Sequence, residues 1–188
     1  MNLAIERLAA PLPVWRMNFP YRDRGSKGPP DREVVLLESL DDAFTRLCRD
    51  LATVPSRVVI GGRSLGGRMC SMAVARGLGA AGLVALSYPL HPPGRPDRLR
   101  LDHLSEIAVP CLFVSGRRDP FGSPEELEAA TATIPGRVTH RWVEGGHDPK
   151  GVDEEIATQV RDWLSTTFVT TPRRVSSAAP RRPTSLGP

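Results

Sequence analysis

The 188-residue chain has few cysteines, no long apolar run and, apart from its last segment, no excess of charge. Cys48, Cys70 and Cys111 are odd in number and sit inside apolar stretches, which reads as reduced thiols in the cytoplasm rather than a disulfide framework. The opening MNLAIERLAAPLPVW carries Glu6 and Arg7 where a secretory signal needs an unbroken apolar core, and nothing approaches membrane-spanning length. The formal charge of +4 resides in Arg173, Arg174, Arg181 and Arg182, in a stretch from Thr170 to Pro188 without an acid; the remaining 21 basic residues balance 21 acidic ones. A neutral body offers no phosphate-binding face, so neither nucleic acid nor a membrane is the expected partner. There is no cluster of His, Cys and carboxylates at metal spacing, no phosphate loop and no dinucleotide fingerprint, so no metal or cofactor is implied. Internal repeats are also lacking.

What is present is an alternation of short apolar runs with longer stretches of helical spacing, the pattern of an α/β domain with a mostly parallel sheet and helices on both faces. Five stretches read as strands: Pro13–Phe19, Arg57–Gly62, Gly82–Ser87, Cys111–Ser115 and Val138–Val143. Val34–Thr53 carries an apolar stripe at three- and four-residue steps and reads as a helix. Gly66–Arg76 reads as a small-residue helix, Ser123-Pro124-Glu125-Glu126 opens another with an N-cap, an early proline and early acids, and Val152–Phe168 forms the last. Only a brief helix around Leu101–Ile107 fits between the third and fourth strands, so no lid domain is expected and the site should be open to small or flexible acyl groups. The expected division is a folded domain over 1–168 and a disordered Pro/Arg/Ser tail over 169–188.

The chemistry-bearing motif is Gly62-Arg63-Ser64-Leu65-Gly66, a G-x-S-x-G pattern where a buried strand gives way to a helix. A serine on such an elbow has a strained backbone, and small residues two before and two after it let strand and helix approach. The helix start then directs unpaired N–H groups towards developing negative charge, with Leu65 N–H as the expected oxyanion donor. PCLFVSGRRDP places Asp119 beyond the carboxyl end of the fourth strand, and RWVEGGHDP places His147 beyond the fifth. Singly, Asp119 also fits a turn cap before Pro120, and His147 an ordinary surface loop. Together, Ser64, Asp119 and His147 follow three strands in the order of a Ser-Asp-His catalytic triad.

Other residues near the strand ends have weaker claims. Arg63 suits a substrate carboxylate, although an ion pair with a loop acid is the favoured reading. The loop Ser87-Tyr88-Pro89-Leu90-His91-Pro92-Pro93-Gly94 should form a stiff wall of the cleft, making Tyr88 and His91 candidate substrate-lining residues. His103 lies between strands and His140 within one, so both read as structural or lining residues.

GGRSLGGRMCSMAVA, LVALSYPLHPPGRPDRLRLDHL, VPCLFVSGRRDPFGSPEELE and WVEGGHD resemble the dienelactone-hydrolase-like branch of the α/β hydrolases, from about Asn2 to Leu164. More narrowly they are similar to bacterial relatives of the hydrolase-like domain of an animal histone-acetyltransferase-complex subunit and of a testis-expressed protein. The resemblance implies a serine hydrolase, often without an assigned substrate, and in the animal relatives a largely non-catalytic role. It also implies an opening strand ending in a His-Gly-x-Gly-like loop, which supplies a second oxyanion N–H. This chain begins at what looks like the following helix, Asn2–Ala9. The expectation is therefore that a central strand between Pro13–Phe19 and Arg57–Gly62 is missing and that the working protein begins roughly 20 to 30 residues earlier. Direct pairing of Pro13–Phe19 with Arg57–Gly62 is the alternative arrangement.

These readings lead to acyl transfer from a small-molecule ester, lactone or thioester to water. A non-catalytic hydrolase-like scaffold or binding protein is the rival, and a peptidase ranks third.

Overall fold

Apolar runs become strands where each finds a neighbour for its main-chain hydrogen bonds, and four stretches meet that condition. The computed structural model describes residues 13–25 and 28–168. A short helix α1 (Pro20–Asp23) and the long helix α2 (Glu33–Asp50) precede β1 (Val59–Arg63), and α3 (Leu65–Ala75) leads to β2 (Gly82–Leu86). β3 (Cys111–Gly116), α4 (Pro124–Thr131), β4 (Val138–Val143) and α5 (Asp153–Phe168) complete the order. The strands run parallel in the spatial order β1-β2-β3-β4. The stretch expected as a helix around Leu101–Ile107 is a single 3₁₀ turn, Leu104–Glu106.

Strand periodicity sends alternate side chains to opposite faces, and both faces are covered. Leu83, Ala85, Cys111 and Phe113 join a core completed by Leu36 and Leu40 of α2, Met69 of α3 and Leu127 of α4. Val84, Leu86, Leu112 and Val114 point the other way, onto Ile156, Val160 and Trp163 of α5. The arrangement agrees with the expected α/β class. Burial of each large aliphatic or aromatic side chain stabilises the fold by about 1.5–3 kcal/mol, so this double layer holds the strand ends in register. The start of α4 is a complete capping box: the Glu126 N–H donates to Ser123 Oγ at 3.2 Å, and the Ser123 N–H donates to Glu126 Oε2 at 2.8 Å.

The expected strand Pro13–Phe19 is absent, and it pairs neither with a central neighbour nor directly with β1. Met17 and Phe19 pack on the α2-side core, while Val14 and Trp15 remain 39% and 51% exposed. The alternating pattern thus expresses side-chain packing alone. A strand needs a partner for its N–H and C=O groups, and among the described residues none lies along the outer edge of β1. The helix expected at Asn2–Ala9 and the tail from Thr170 to Pro188 lie outside the described residues. No helix among the described residues is long and apolar enough to cross a membrane.

Candidate active site

The turn from β1 into α3 places Ser64 at φ 51° and ψ −118°, a conformation rarely adopted by a residue with a β-carbon. It is maintained from both sides. The Ser64 N–H donates to the Leu86 carbonyl at 2.8 Å, extending the β1–β2 ladder by one bond, while the Ser64 carbonyl accepts the Arg68 N–H at 3.0 Å and starts α3. Leu65, Gly66 and Gly67 precede that first helical bond, so their N–H groups have no helical acceptor.

The tight approach explains two glycines, but not the pair that the motif names. A β-carbon on Gly62 would collide with the Gly66 main chain and lie 2.7 Å from Gly67 N. One on Gly67 would lie 2.7 Å from the Gly62 carbonyl oxygen. Gly66, the second glycine of the motif, has nothing within 4 Å of where its β-carbon would be. The steric requirement falls one residue later than the pattern suggests.

Beyond β3, the chain turns back so that the Asp119 N–H donates to the Gly116 carbonyl at 3.1 Å, and Asp119 Oδ1 accepts the Phe121 N–H at 2.9 Å. The His147 loop lies against this turn, with the Arg118 N–H donating to the Gly145 carbonyl at 2.9 Å. Any β-carbon on Gly116 would strike the Gly145 and Gly146 carbonyls, so glycine permits the two loops to meet.

The three side chains singled out by their order converge. His147 Nδ1 lies 3.0 and 2.9 Å from the two carboxylate oxygens of Asp119, and His147 Nε2 lies 2.7 Å from Ser64 Oγ. An ionised carboxylate only accepts, so Nδ1 carries the proton and Nε2 is free to accept the serine hydroxyl. Asp119 is 5% exposed and the Phe121 ring lies 4.0 Å from the imidazole, centre to centre, shielding the charged partner from water. Phe121 had no signal in the sequence, because its role depends on the turn that Asp119 forms.

Arg63, the last residue of β1, donates through Nη2 to Asp148 Oδ1 at 2.7 Å and reaches the His147 carbonyl at 3.5 Å. It ties the histidine loop to the strand that carries the serine. Lys150 also pairs with Asp148, and these cations, Lys150 before Arg63, hold the Asp148 carboxyl below its ordinary value. The ion-pair reading of Arg63 therefore describes its observed contacts.

Tyr88 and His91 do not line a cleft as expected. Tyr88 is 1% exposed, packs edge-on against Phe113 and directs its hydroxyl towards Ser71 and His103, at 3.5 and 3.4 Å. Burial raises its pKa. His91 is 5% exposed, with Nδ1–H donating to the Pro92 carbonyl at 2.8 Å and Nε2 lying 3.5 Å from Glu126. The His91 N–H donates to the Phe121 carbonyl at 3.1 Å, so this loop braces the Asp119 turn from behind. The sequence places both residues after the proper strand, but only packing decides that they face inward. His140 is likewise structural, stacked between Phe113 and Trp142 and bonded to Thr131 Oγ1 at 2.9 Å.

Two cavities, of about 610 Å³ beside Trp15 and Arg46 and about 450 Å³ beside Arg68 and His103, are lined by none of Ser64, Asp119 and His147. No group of three or more His, Cys, Asp or Glu among the described residues is arranged to hold a metal.

The chain is similar in structure to a Pyrococcus furiosus esterase (TM-score 0.63, 15% identity, 76% of this chain and 64% of that one). A Bacillus cereus carboxylesterase aligns with TM-score 0.54 and 16% identity over 72% of this chain and 62% of its own. A puromycin hydrolase aligns with TM-score 0.55 and 20% identity over 74% of this chain. The chain spans 26% of that hydrolase and less than two thirds of either esterase, and at these identities the likeness concerns the fold. The alpha/beta hydrolase domain family matches residues 1–167, nearly the whole chain, and the chain belongs to it.

Proposed function

We propose that this chain is a serine hydrolase in which Ser64 is the nucleophile, His147 the general base and then acid, and Asp119 the group that orients the imidazole. The observation that carries this reading is the continuous pair of contacts, 2.7 Å from Ser64 Oγ to His147 Nε2 and 2.9 Å from His147 Nδ1 to Asp119. Nε2 removes the serine proton as Oγ adds to an acyl carbonyl, and the resulting imidazolium faces a carboxylate with little exposure to water. The same proton passes to the leaving group. Water, deprotonated by the neutral imidazole, then releases the acid and restores Ser64.

Leu65 N–H supplies an oxyanion donor, since it follows the nucleophile and has no helical acceptor. The proposed substrates are small esters, lactones or thioesters, because the β2–β3 connection contributes only one 3₁₀ turn to cover the site. Their leaving groups require less assistance than an amine. A fluorophosphonate probe tests the reading: it should label the wild-type chain and leave Ser64→Ala unlabelled. Equal labelling of the two removes Ser64 from the nucleophile's role.

A further inference from the structure

On the α2 side of the sheet a second group of ionisable side chains takes no part in the Ser64 chemistry. Three arginines, Arg68 from α3, Arg76 just after its end and Arg100 ahead of the 3₁₀ turn, line the 450 Å³ cavity with His103, Glu33 and Asp102. Its volume is that of a small-molecule site. Glu33 serves two of the arginines, at 2.9 Å from Arg68 and 3.8 Å from Arg76. Arg100 has no carboxylate partner among the described residues and donates to the Pro89 carbonyl at 3.1 Å. Asp102 is exposed and forms no ion pair among the described residues.

Arg68 adds an unused donor: its Nε is buried without an acceptor. Beneath it, the Ser71 hydroxyl donates to the Arg68 carbonyl at 2.7 Å and so accepts the Nε2–H of His103 at 2.8 Å. Burial first, and then Arg68, push the His103 pKa down to about 4. Burial and Arg68 also make the charge on Arg100 less favourable than in water. Positive charge is thus gathered around an empty volume with fewer acids than arginines, a situation an added oxyanion relieves. Met72 and Leu99 provide an apolar side to the same cavity.

We infer that this cavity binds a small organic oxyanion, a carboxylate or a phosphate monoester, held by the guanidinium groups of Arg100 and Arg68, with a short apolar body against Met72 and Leu99. A guanidinium matches the two oxygens of such a group with parallel charge-assisted hydrogen bonds. The site is independent of the proposed hydrolysis.

The test is calorimetric titration of the full chain at fixed ionic strength, with inorganic phosphate and with hexanoate as separate probes. Saturable binding of either, weakened about tenfold or more by Arg100→Gln, supports the site. Phosphate alone assigns a phosphate head, hexanoate alone a carboxylate, and both the shared oxyanion chemistry. Should Arg100→Gln fail to fold, Arg100→Lys keeps the charge, loses the planar two-point contact and serves in its place. The imidazole signal of His103, followed by NMR, should titrate at higher pH with the anion bound. No saturable binding of either probe, or undiminished binding by the folded variants, overturns the inference.

Discussion

The carboxyl ends of β1, β3 and β4 differ sharply from the segment 13–19. At the strand ends, main-chain bonds, glycine contacts and a buried carboxylate place three loops within hydrogen-bond distance of one another. Residues 13–19, by contrast, keep the alternation of a strand yet form none, and Met17 and Phe19 pack on the core. The comparison shows that a local pattern becomes structure only when a partner completes it. A loop that finds its partners becomes rigid enough for chemistry; a strand-like segment without one retains only its side-chain packing.

The largest expected effect tests the strand ends. Asp119→Asn should lower kcat on a small aryl ester by about 10⁴ while far-UV circular dichroism stays unchanged, because the amide no longer supports the imidazolium. An unchanged kcat would separate the loops from the chemistry. Next come the elbow glycines: Gly67→Ala should destabilise by about 1–3 kcal/mol, as its β-carbon meets the Gly62 carbonyl, whereas Gly66→Ala should be neutral or stabilising by about 0.5–1 kcal/mol. Equal melting temperatures for the two variants would refute the shifted steric requirement.

The pH dependence has a definite sign. His103 is held near pKa 4 against 6.5 when unfolded, so the unfolded chain takes up the proton first and stability falls as pH drops from 6.5 to 4. His140, also lowered by burial, acts in the same sense. His103→Gln should flatten the melting-temperature profile in that window; an identical slope would assign the loss to other groups. Asp148→Asn should reduce kcat by less than about tenfold, since it loosens the His147 loop through a half-exposed ion pair without touching the triad. The smallest effect belongs to the segment 13–19: Trp15→Ala should change stability by less than about 0.5 kcal/mol, and Phe19→Ala by about 1–2 kcal/mol, in chemical denaturation. A large effect at Trp15 would show that the segment is anchored more firmly than its exposure indicates.

Much of the site was legible because its signals are local. Ser64, Asp119 and His147 each follow a strand of apolar residues, and the capping box at Ser123 and Glu126 is complete within four positions. Other features had no local signal. Phe121 beside His147, and Arg68 and Arg76 beside His103, are brought together by helix and strand packing across long stretches of chain, and Gly67 meets Gly62 only through the geometry of the turn at Ser64. The inward facing of Tyr88 and His91 was likewise a matter of packing, since a residue just beyond a strand can turn to either side.

By itself, then, the sequence determined the alternation of strand and helix, the order of the three candidate site residues and the cap of α4, all of which depend on neighbours in the chain. Only the tertiary structure decided which apolar stretch became a strand and which polar residues faced the core. Those outcomes depend on hydrogen-bond partners and excluded volume supplied by distant segments, and neither is encoded in the spacing of residues along one stretch.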